Sequence, residues 1–312
     1  MLIDFMNMKN GEYHEKQLDY NFRACLNAIE REFPEDKYPD LDNPKYAHII
    51  EKLDGIPVSM GGLAESLGLD QRVMTVALWR DLSNGWCPAD AMSEDNPLKS
   101  LAVETPKGFM IPLSKNVSTI NSAGEYVKED GQKERRIGTE FVFGMGKNTS
   151  LALARLAIDD STVDKRVDSK ANQIFKEIIM PEMLKDAKLR KGTDGAEIDF
   201  AKEILAVNFA HQENRSIEPY RHFHFDLLNT ALGYDGKLYT LMNEEIITNK
   251  DKYNVLFQRS MNEYLKEEFG FKFQKVHLDE DINNEFLKDH EKNVASYDLR
   301  DEIGRASCRE RV

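Results

Sequence analysis

Two spacings of apolar residues alternate along this chain and predict strands and helices in a defined order. In the segment 135–144, Ile137, Thr139, Phe141 and Phe143 occupy every second position, as in a strand with one buried face. Similar patterns predict strands over 2–8, 203–212, 220–230 and 238–242. Apolar residues three and four positions apart predict helices over 12–32, 46–53, 61–69, 73–82, 146–158, 164–189 and 253–269. The stretch 88–131 has scattered Pro, Gly, Ser and Asn, and we expect it to be irregular.

The order of these elements indicates an α+β fold. Hairpin-type connections join the late strands, so we expect a central antiparallel sheet with helices packed on one face. The chain has 312 residues, of which 41% are hydrophobic, and this is enough to bury a substantial core. We predict one domain over 1–301 that includes a small helical subdomain at about 61–87.

Composition narrows the class of protein. No run of about 18 apolar residues occurs, and the N-terminal stretch MLIDFMNMKN lacks the features of a secretory signal. We therefore expect a cytoplasmic protein with no membrane insertion. Outside the last eleven residues, the cysteines are Cys25 and Cys87, which are far apart and form no CxxC pair; this fits a reducing compartment. The formal net charge of −13 argues mildly against a nucleic-acid binder, because phosphate contacts need local positive charge.

The C-terminal residues EIGRASCRERV match what a common sequencing-library adapter encodes in one reading frame. We interpret 302–312 as a translated adapter and expect the natural chain to continue past residue 301. A genuine arginine-rich tail is the alternative interpretation.

Three of the seven histidines fall within HQENRSIEPYRHFH, residues 211–224. Residues i and i+2 of a strand point to the same face, so His222 and His224 would lie side by side. If the two predicted strands of this region pair, His211 joins them. Three neutral imidazole nitrogens suit Zn²⁺, Mn²⁺ or another first-row ion. Ordinary core or surface histidines are the alternative.

Carboxylates near the histidines refine this hypothesis. Glu140 and Asp226 are candidates to orient the imidazole rings through hydrogen bonds. A cupin-type metal strand would need a Glu a few residues after His224, and the stretch LLNTALG that follows Asp226 contains none. An unrelated metallohydrolase would need further acidic ligands.

The pattern His-x10-His-x-His resembles the metal signature of HUH nucleases, and the closer resemblance is to TrwC/TraI-type conjugative relaxases, the MobF class. Four blocks resemble the family's blocks in the same order: GGLAESLGL (61–69), RIGTEFVFGMGKNTSL (136–151), HQENRSIEPYRHFHFDLLN (211–229) and GKLYTLMNEEI (236–246). Together the resemblance spans about residues 61–272. It implies a palm or RRM-like antiparallel sheet with helices on one face and the metal on the other.

The resemblance also implies an activity. A relaxase of this type nicks one DNA strand at a transfer origin when a tyrosine attacks the phosphodiester, stays linked to the 5′ phosphate, and later allows re-ligation without ATP. The implied cofactor is a divalent metal ion, Mg, Mn or Zn. The implied partners are single-stranded DNA at the transfer origin, a conjugation coupling protein and accessory DNA-binding proteins. A helicase often follows this domain.

The resemblance assigns roles to individual residues. His211, His222 and His224 take the metal-ligand positions. Glu140 stands where the family has Asp, and would orient a histidine or help to activate the tyrosine.

DNA contacts are assigned in the same way. Lys147 and Ser150 match positions at a helix start that could contact phosphate. Arg215 matches the arginine of the histidine block. Gly146 departs from the family, which has Pro at this position.

The nucleophile is the least determined residue of the pattern. The family has paired tyrosines in and after its first helix, whereas this chain has the single tyrosines Tyr13, Tyr20, Tyr38 and Tyr46. We choose Tyr20 because it lies on the helix predicted to follow the first strand, and the other three stay open. The alternatives to a relaxase are a rolling-circle replication initiator of the HUH class and a relaxase-like module that binds metal or DNA without cleaving.

Overall fold

The chain folds into antiparallel strands and helices, seen here in a computed structural model. The structure describes residues 4–8, 29, 31–34, 43–46, 49, 57–70, 72–90, 92–115, 117–127, 136–191, 197–213, 218–275 and 297–298. Most of the predicted helix over 12–32 and all of the segment 302–312 lie outside the described residues.

The elements follow one another in this order along the chain. The strands are β1 (Asp4–Met8), β2 (Val58–Met60), β3 (Trp86–Pro88), β4 (Val103–Thr105), β5 (Gly108–Pro112), β6 (Thr119–Ile120), β7 (Tyr126–Val127), β8 (Gly138–Gly144), β9 (Lys188–Lys191), β10 (Glu197–Phe200), β11 (Glu203–Glu213), β12 (Pro219–Leu232), β13 (Leu238–Tyr239), β14 (Leu241–Met242), β15 (Gln274–Lys275) and β16 (Tyr297–Asp298). The α-helices are α1 (Gly62–Ser66), α2 (Val76–Ser83), α3 (Lys147–Asp159), α4 (Val163–Ile174), α5 (Met180–Asp186), α6 (Glu244–Thr248) and α7 (Lys250–Phe269). Within the described residues, no helix is both long enough and apolar enough to cross a membrane.

The central sheet is antiparallel and has the strand order β1–β8–β12–β11–β2, with β13 added to β12. Its longest members, β11 and β12, form a hairpin in the middle. The predicted α+β class with a central antiparallel sheet is confirmed. The edge strand β2 was not predicted, because three residues are too few to show a period.

One face of the central sheet carries the larger core. Helices α3, α4, α5 and α7 supply the apolar residues that meet this face. A group of phenylalanine rings fills the space, and Phe175 stacks on Phe257 with ring centroids 5.0 Å apart. Phe143, Phe223 and Phe225 come from the strands and are fully buried against them. The predicted layer of helices is confirmed on this face of the sheet.

The opposite face of the sheet is covered in part by a second apolar cluster. Helices α1 and α2 contribute to it, and the indole of Trp79 lies edge-on to Phe209 of β11 at 5.1 Å. Helix α2 begins where the Thr75 side chain accepts a hydrogen bond from the Leu78 N–H. Helices therefore pack on both faces, although only the first face is lined by long ones.

The predicted single helix over 164–189 is wrong at its C-terminal end. The helical run begins at Val163, passes through a π-helical turn at Phe175–Ile179 and ends at Asp186. Leu189 has helical spacing in the sequence but lies in β9, buried between the strands β10 and β14. Tertiary pairing overrides the local pattern here.

We expected the stretch 88–131 to be irregular, but the structure contains short paired strands in it. Strand β5 pairs with β3 and β4, and β6 pairs with β7. Each strand has only two to five residues, so no alternation could be recognised in the sequence. Gly108 makes the tight β4–β5 turn with φ of 100°, a conformation that favours glycine.

Candidate metal centre

The β11–β12 hairpin brings three histidines to one point on the sheet. His211 lies directly opposite His222, and His224 lies two residues further along β12 on the same face. One ring nitrogen of each residue lies within 4.8 Å of the corresponding nitrogens of the other two. The convergence of the three imidazoles expected from the strand pattern is confirmed.

The three rings are close together and mostly shielded from water. The ring centroids lie 4.5 Å apart for His211 and His224, 4.9 Å for His222 and His224, and 5.1 Å for His211 and His222. Burial lowers the pKa of His222, because a desolvated imidazolium is disfavoured. Neutral imidazoles keep a lone pair, and this is the form that binds a metal ion.

Hydrogen bonds fix how two of the rings are turned. The His222 Nδ1 lies 2.8 Å from the carbonyl oxygen of Tyr220, so Nδ1 carries the proton and donates it. The His224 Nδ1 donates in the same way to the Oε1 of Glu140. In both rings Nε2 is then the nitrogen left to bind a ligand. Three imidazole nitrogens that converge in this way fit a divalent first-row ion.

Two buried carboxylates continue the polar surface beneath the histidines. Glu140 of β8 and Asp226 of β12 lie directly opposite each other in the sheet and are 3% and 0% exposed. Because residues i and i+2 share a face, Asp226 lies on the same face as His224. Both carboxylates therefore lie near the triad as the sequence suggested, and the Glu140 side chain reaches a histidine.

Arg221 anchors the beginning of β12 from the opposite face. Its guanidinium pairs with Asp164 and Asp168 of α4, and the side chain is 4% exposed. Its backbone N–H donates to the Ser150 Oγ at 3.0 Å, and its carbonyl accepts from the Met145 N–H at 2.9 Å. The residue next to His222 is thus held on both its backbone and its side chain.

The residues that we assigned to DNA contacts differ in their exposure to solvent. Ser150 is 3% exposed, and its hydroxyl donates to the Gly146 carbonyl at 3.1 Å, so it is not placed to touch DNA. Lys147 is exposed at the start of α3 and pairs with Glu218 at 3.1 Å. Arg215 lies outside the described residues.

Of the four candidate nucleophiles, the structure describes only Tyr46. Tyr13, Tyr20 and Tyr38 lie outside the described residues. Tyr46 is 1% exposed, and its ring packs edge-on to Phe33 at 5.4 Å. This burial in the second apolar cluster does not favour Tyr46 as an attacking group.

Sequence reasoning missed one aromatic residue at the site. The ring of Tyr220 lies 5.4 Å from the ring of His222, with 34° between the two planes. The signal was in the sequence, because Tyr220 stands two residues before His222 in a strand and therefore shares its face.

Comparison with protein families gives a match to the model described as TrwC relaxase, over residues 56–310. The match covers well over half of the chain and includes all three histidines and Glu140. Comparison with curated protein sequences gives no match.

Several solved structures have a similar fold. A conjugative relaxase TrwC in complex with mutant oriT DNA is 19% identical with a TM-score of 0.51, covering 79% of this chain and 69% of that one. A metal-bound TrwC–oriT DNA complex is 16% identical with a TM-score of 0.55, and a copper-bound complex is 16% identical with a TM-score of 0.56. Each of these two matches covers 96% of this chain and 75% of that one. At such identities the likeness establishes the fold.

Proposed function

We propose how this chain, which belongs to the TrwC relaxase family of DNA-nicking enzymes, carries out the reaction of a conjugative relaxase. The reaction cuts one DNA strand at a transfer origin and later rejoins it. The observation that carries the mechanism is the histidine triad, whose three ring nitrogens converge within 4.8 Å on one face of the central sheet.

His211, His222 and His224 would hold a divalent cation, Mg²⁺, Mn²⁺ or Zn²⁺. Solved TrwC complexes are described as metal-bound and copper-bound, and the neutral nitrogens of this chain suit the same kind of ion. A bound cation would neutralise charge on the non-bridging oxygens of the scissile phosphate, which otherwise repels a nucleophile.

Glu140 would orient one of the three ligands, His224. Its carboxylate holds the Nδ1 proton of His224, which fixes the tautomer and the direction of Nε2. We assign Glu140 to orienting this ligand. Asp226, its neighbour across the sheet, places a second carboxyl group on the same face of the sheet as the triad.

Tyr20 is our proposed nucleophile. Its phenolic oxygen would lose its proton and form a bond to the phosphorus, the bond to the 3′ oxygen would break, and the departing 3′ oxygen would take up a proton, so the number of protons is unchanged. The product is a 5′-phosphotyrosine linkage, and the reverse reaction reseals the strand. Tyr13 and Tyr38 stay open, and the burial of Tyr46 makes it the weakest of the four.

The DNA would be single-stranded at the point of cleavage, and the similar solved structures are complexes of TrwC with oriT DNA. Lys147, exposed at the start of α3, and Arg215 would contact its backbone. Ser150 would act indirectly, because it bonds the backbone next to His222. We propose that the reaction takes place in the cytoplasm, with a coupling protein and accessory DNA-binding proteins as further partners.

The test is cleavage of a labelled pool of single-stranded DNA in Mg²⁺ or Mn²⁺. Wild type is compared with His222→Ala and with separate Tyr→Phe variants at positions 13, 20, 38 and 46. Tyr234→Phe is the matched control, because Tyr234 is 71% exposed and lies in the turn that follows β12.

We expect a covalent DNA–protein adduct that disappears in Tyr20→Phe and His222→Ala and persists in the control. An adduct that survives in His222→Ala would contradict the role of the triad. Loss of the adduct in a different tyrosine variant would replace Tyr20. Metal binding without an adduct on any DNA would point to a module that binds but does not cut.

A further inference from the structure

Tyr220 lies at the edge of the histidine site but has no part in the mechanism above. It is the second residue of β12 and stands two positions before His222, so the two side chains share one face of the sheet. Its ring is partly buried, and its centroid lies 5.4 Å from that of His222 with 34° between the planes. This is the spacing of an offset aromatic pair, and Tyr220 remains partly exposed.

The backbone couples the position of Tyr220 to that of the triad. The carbonyl oxygen of Tyr220 accepts the hydrogen bond from His222 Nδ1 at 2.8 Å. Arg221, between these two residues, is anchored to α4 on the opposite face. The backbone that carries the tyrosine ring is therefore held at a fixed distance from His222, so a partner that binds the ring has little backbone left to order.

The chemistry around this ring suits a nucleotide. Aromatic side chains beside a backbone-binding groove hold single strands by stacking on successive bases, independently of base identity. Lys147 supplies an exposed cation close by, because it pairs with Glu218, two residues before Tyr220. A strand whose phosphate lies at the triad would place a neighbouring base beside the ring.

We propose that Tyr220 is a stacking platform for the base next to the phosphate held at the histidine triad. The inference rests on the proposed function, since it requires single-stranded DNA at this site. Tyr220 is on this account a positioning residue that sets which phosphate is presented. The alternative is that its hydroxyl is itself the nucleophile, and the two roles differ in their need for the oxygen.

The test measures DNA binding and adduct formation separately in Tyr220→Leu, Tyr220→Phe and Tyr220→Trp. Tyr234→Leu is the matched control. The binding probe is a fluorescein-labelled oligonucleotide that wild type cleaves, or a labelled oligothymidylate if none is cleaved, followed by fluorescence anisotropy. Circular dichroism melting and Zn²⁺ titration confirm that each variant keeps its fold and its triad.

We expect Tyr220→Leu to raise the Kd about fivefold or more, the lower end of what one stacked base contributes. Tyr220→Phe and Tyr220→Trp should stay within about twofold of wild type, because both keep a ring to stack on. Removing one base from the oligonucleotide should weaken wild type as much as Tyr220→Leu does. The leucine variant should lose nothing more on that abasic strand.

Three outcomes would overturn either the stacking role of Tyr220 or the proposed cleavage reaction. If Tyr220→Leu binds like wild type while the adduct still forms, the platform is wrong and the proposed cleavage stands. If no DNA gives an adduct but Tyr220→Leu alone weakens binding, the platform stands and the cleavage is wrong. If Tyr220→Phe binds normally but gives no adduct, the platform is overturned and Tyr220 is the nucleophile.

Discussion

The two faces of the central sheet are built from alternate residues of the same strands and serve different ends. On β12, Phe223 and Phe225 point to the long helices and are fully buried in apolar contacts. His222 and His224, their immediate neighbours, point to the other face and form the triad with His211. A register slip of one residue would exchange the two sets, so the pairing of the hairpin decides both the core and the site.

The two faces also differ in what burial contributes. Buried phenylalanines stabilise the fold through the hydrophobic effect and through ring–ring contacts. Buried imidazoles and carboxylates cost free energy unless they find hydrogen-bond partners. The bond between Glu140 and His224 offsets part of that cost. We infer that the helical face of β12 serves stability alone, whereas the opposite face combines a second apolar cluster with a polar patch that prepares the protein to bind charge.

The largest expected effect is on catalysis, from His224→Ala. A bound cation supplies several kcal/mol of transition-state stabilisation, so its loss should slow adduct formation on the order of 10³-fold or more. The melting temperature should change little, because His224 belongs to neither of the two apolar clusters. Single-turnover adduct formation and thermal melting measure the two quantities. A variant that melts far below wild type would mean that the histidines are structural.

The reverse pattern is expected from Phe225→Ala on the helical face. Removing a buried phenylalanine typically costs about 3–5 kcal/mol of the free energy of unfolding. Urea unfolding measures the loss, and Phe225→Leu should give a smaller one. Phe109→Ala is the control, because Phe109 is 63% exposed. If the folded fraction of Phe225→Leu bound Zn²⁺ much more weakly than wild type, the two faces would not be separable.

A smaller effect is expected from Glu140→Gln, which keeps the shape and removes the charge behind His224. Loss of such an orienting carboxylate typically costs about 10–100-fold in metal affinity. Isothermal titration with Zn²⁺ measures it. Glu245→Gln serves as the control, because Glu245 is exposed and pairs with Lys188 away from the triad. An unchanged affinity would show that Glu140 does not orient the ligand.

The same contrast explains what the sequence could and could not predict. The strands β8, β11 and β12 are long, and their alternation identified both the core phenylalanines and the converging histidines. Leu189 misled the helix prediction, because its apolar side chain fits a helical stripe as well as a strand between β10 and β14. Strands of two or three residues, such as β2 and β6, carry no readable period.

The residues around the site were harder to predict than the triad. Ser150 was expected at a phosphate, but its hydroxyl bonds the backbone of Arg221, a contact 71 residues apart in sequence that no local pattern encodes. Arg221 could have been taken for a surface cation or a DNA contact, and it is buried between Asp164 and Asp168. The presence of a charged residue in the sequence does not determine whether its side chain is exposed or buried in an ion pair.

The smallest expected effect comes from Glu218→Gln at the exposed margin of the site. Glu218 is 52% exposed and Lys147 is 62% exposed, so their ion pair contributes little to stability. Its removal should leave melting unchanged, free Lys147 for phosphate, and tighten single-stranded DNA binding by about two- to threefold at low salt.

Lys147→Met gives the opposite change and completes the test. It should weaken binding and lower the slope of log K against log salt by about one, the value for one lost phosphate contact. Anisotropy titrations across a salt series measure both variants. If Glu218→Gln and Lys147→Met each left the salt slope at the wild-type value, Lys147 would make no phosphate contact. The DNA path would then have to be carried by residues on the histidine face alone.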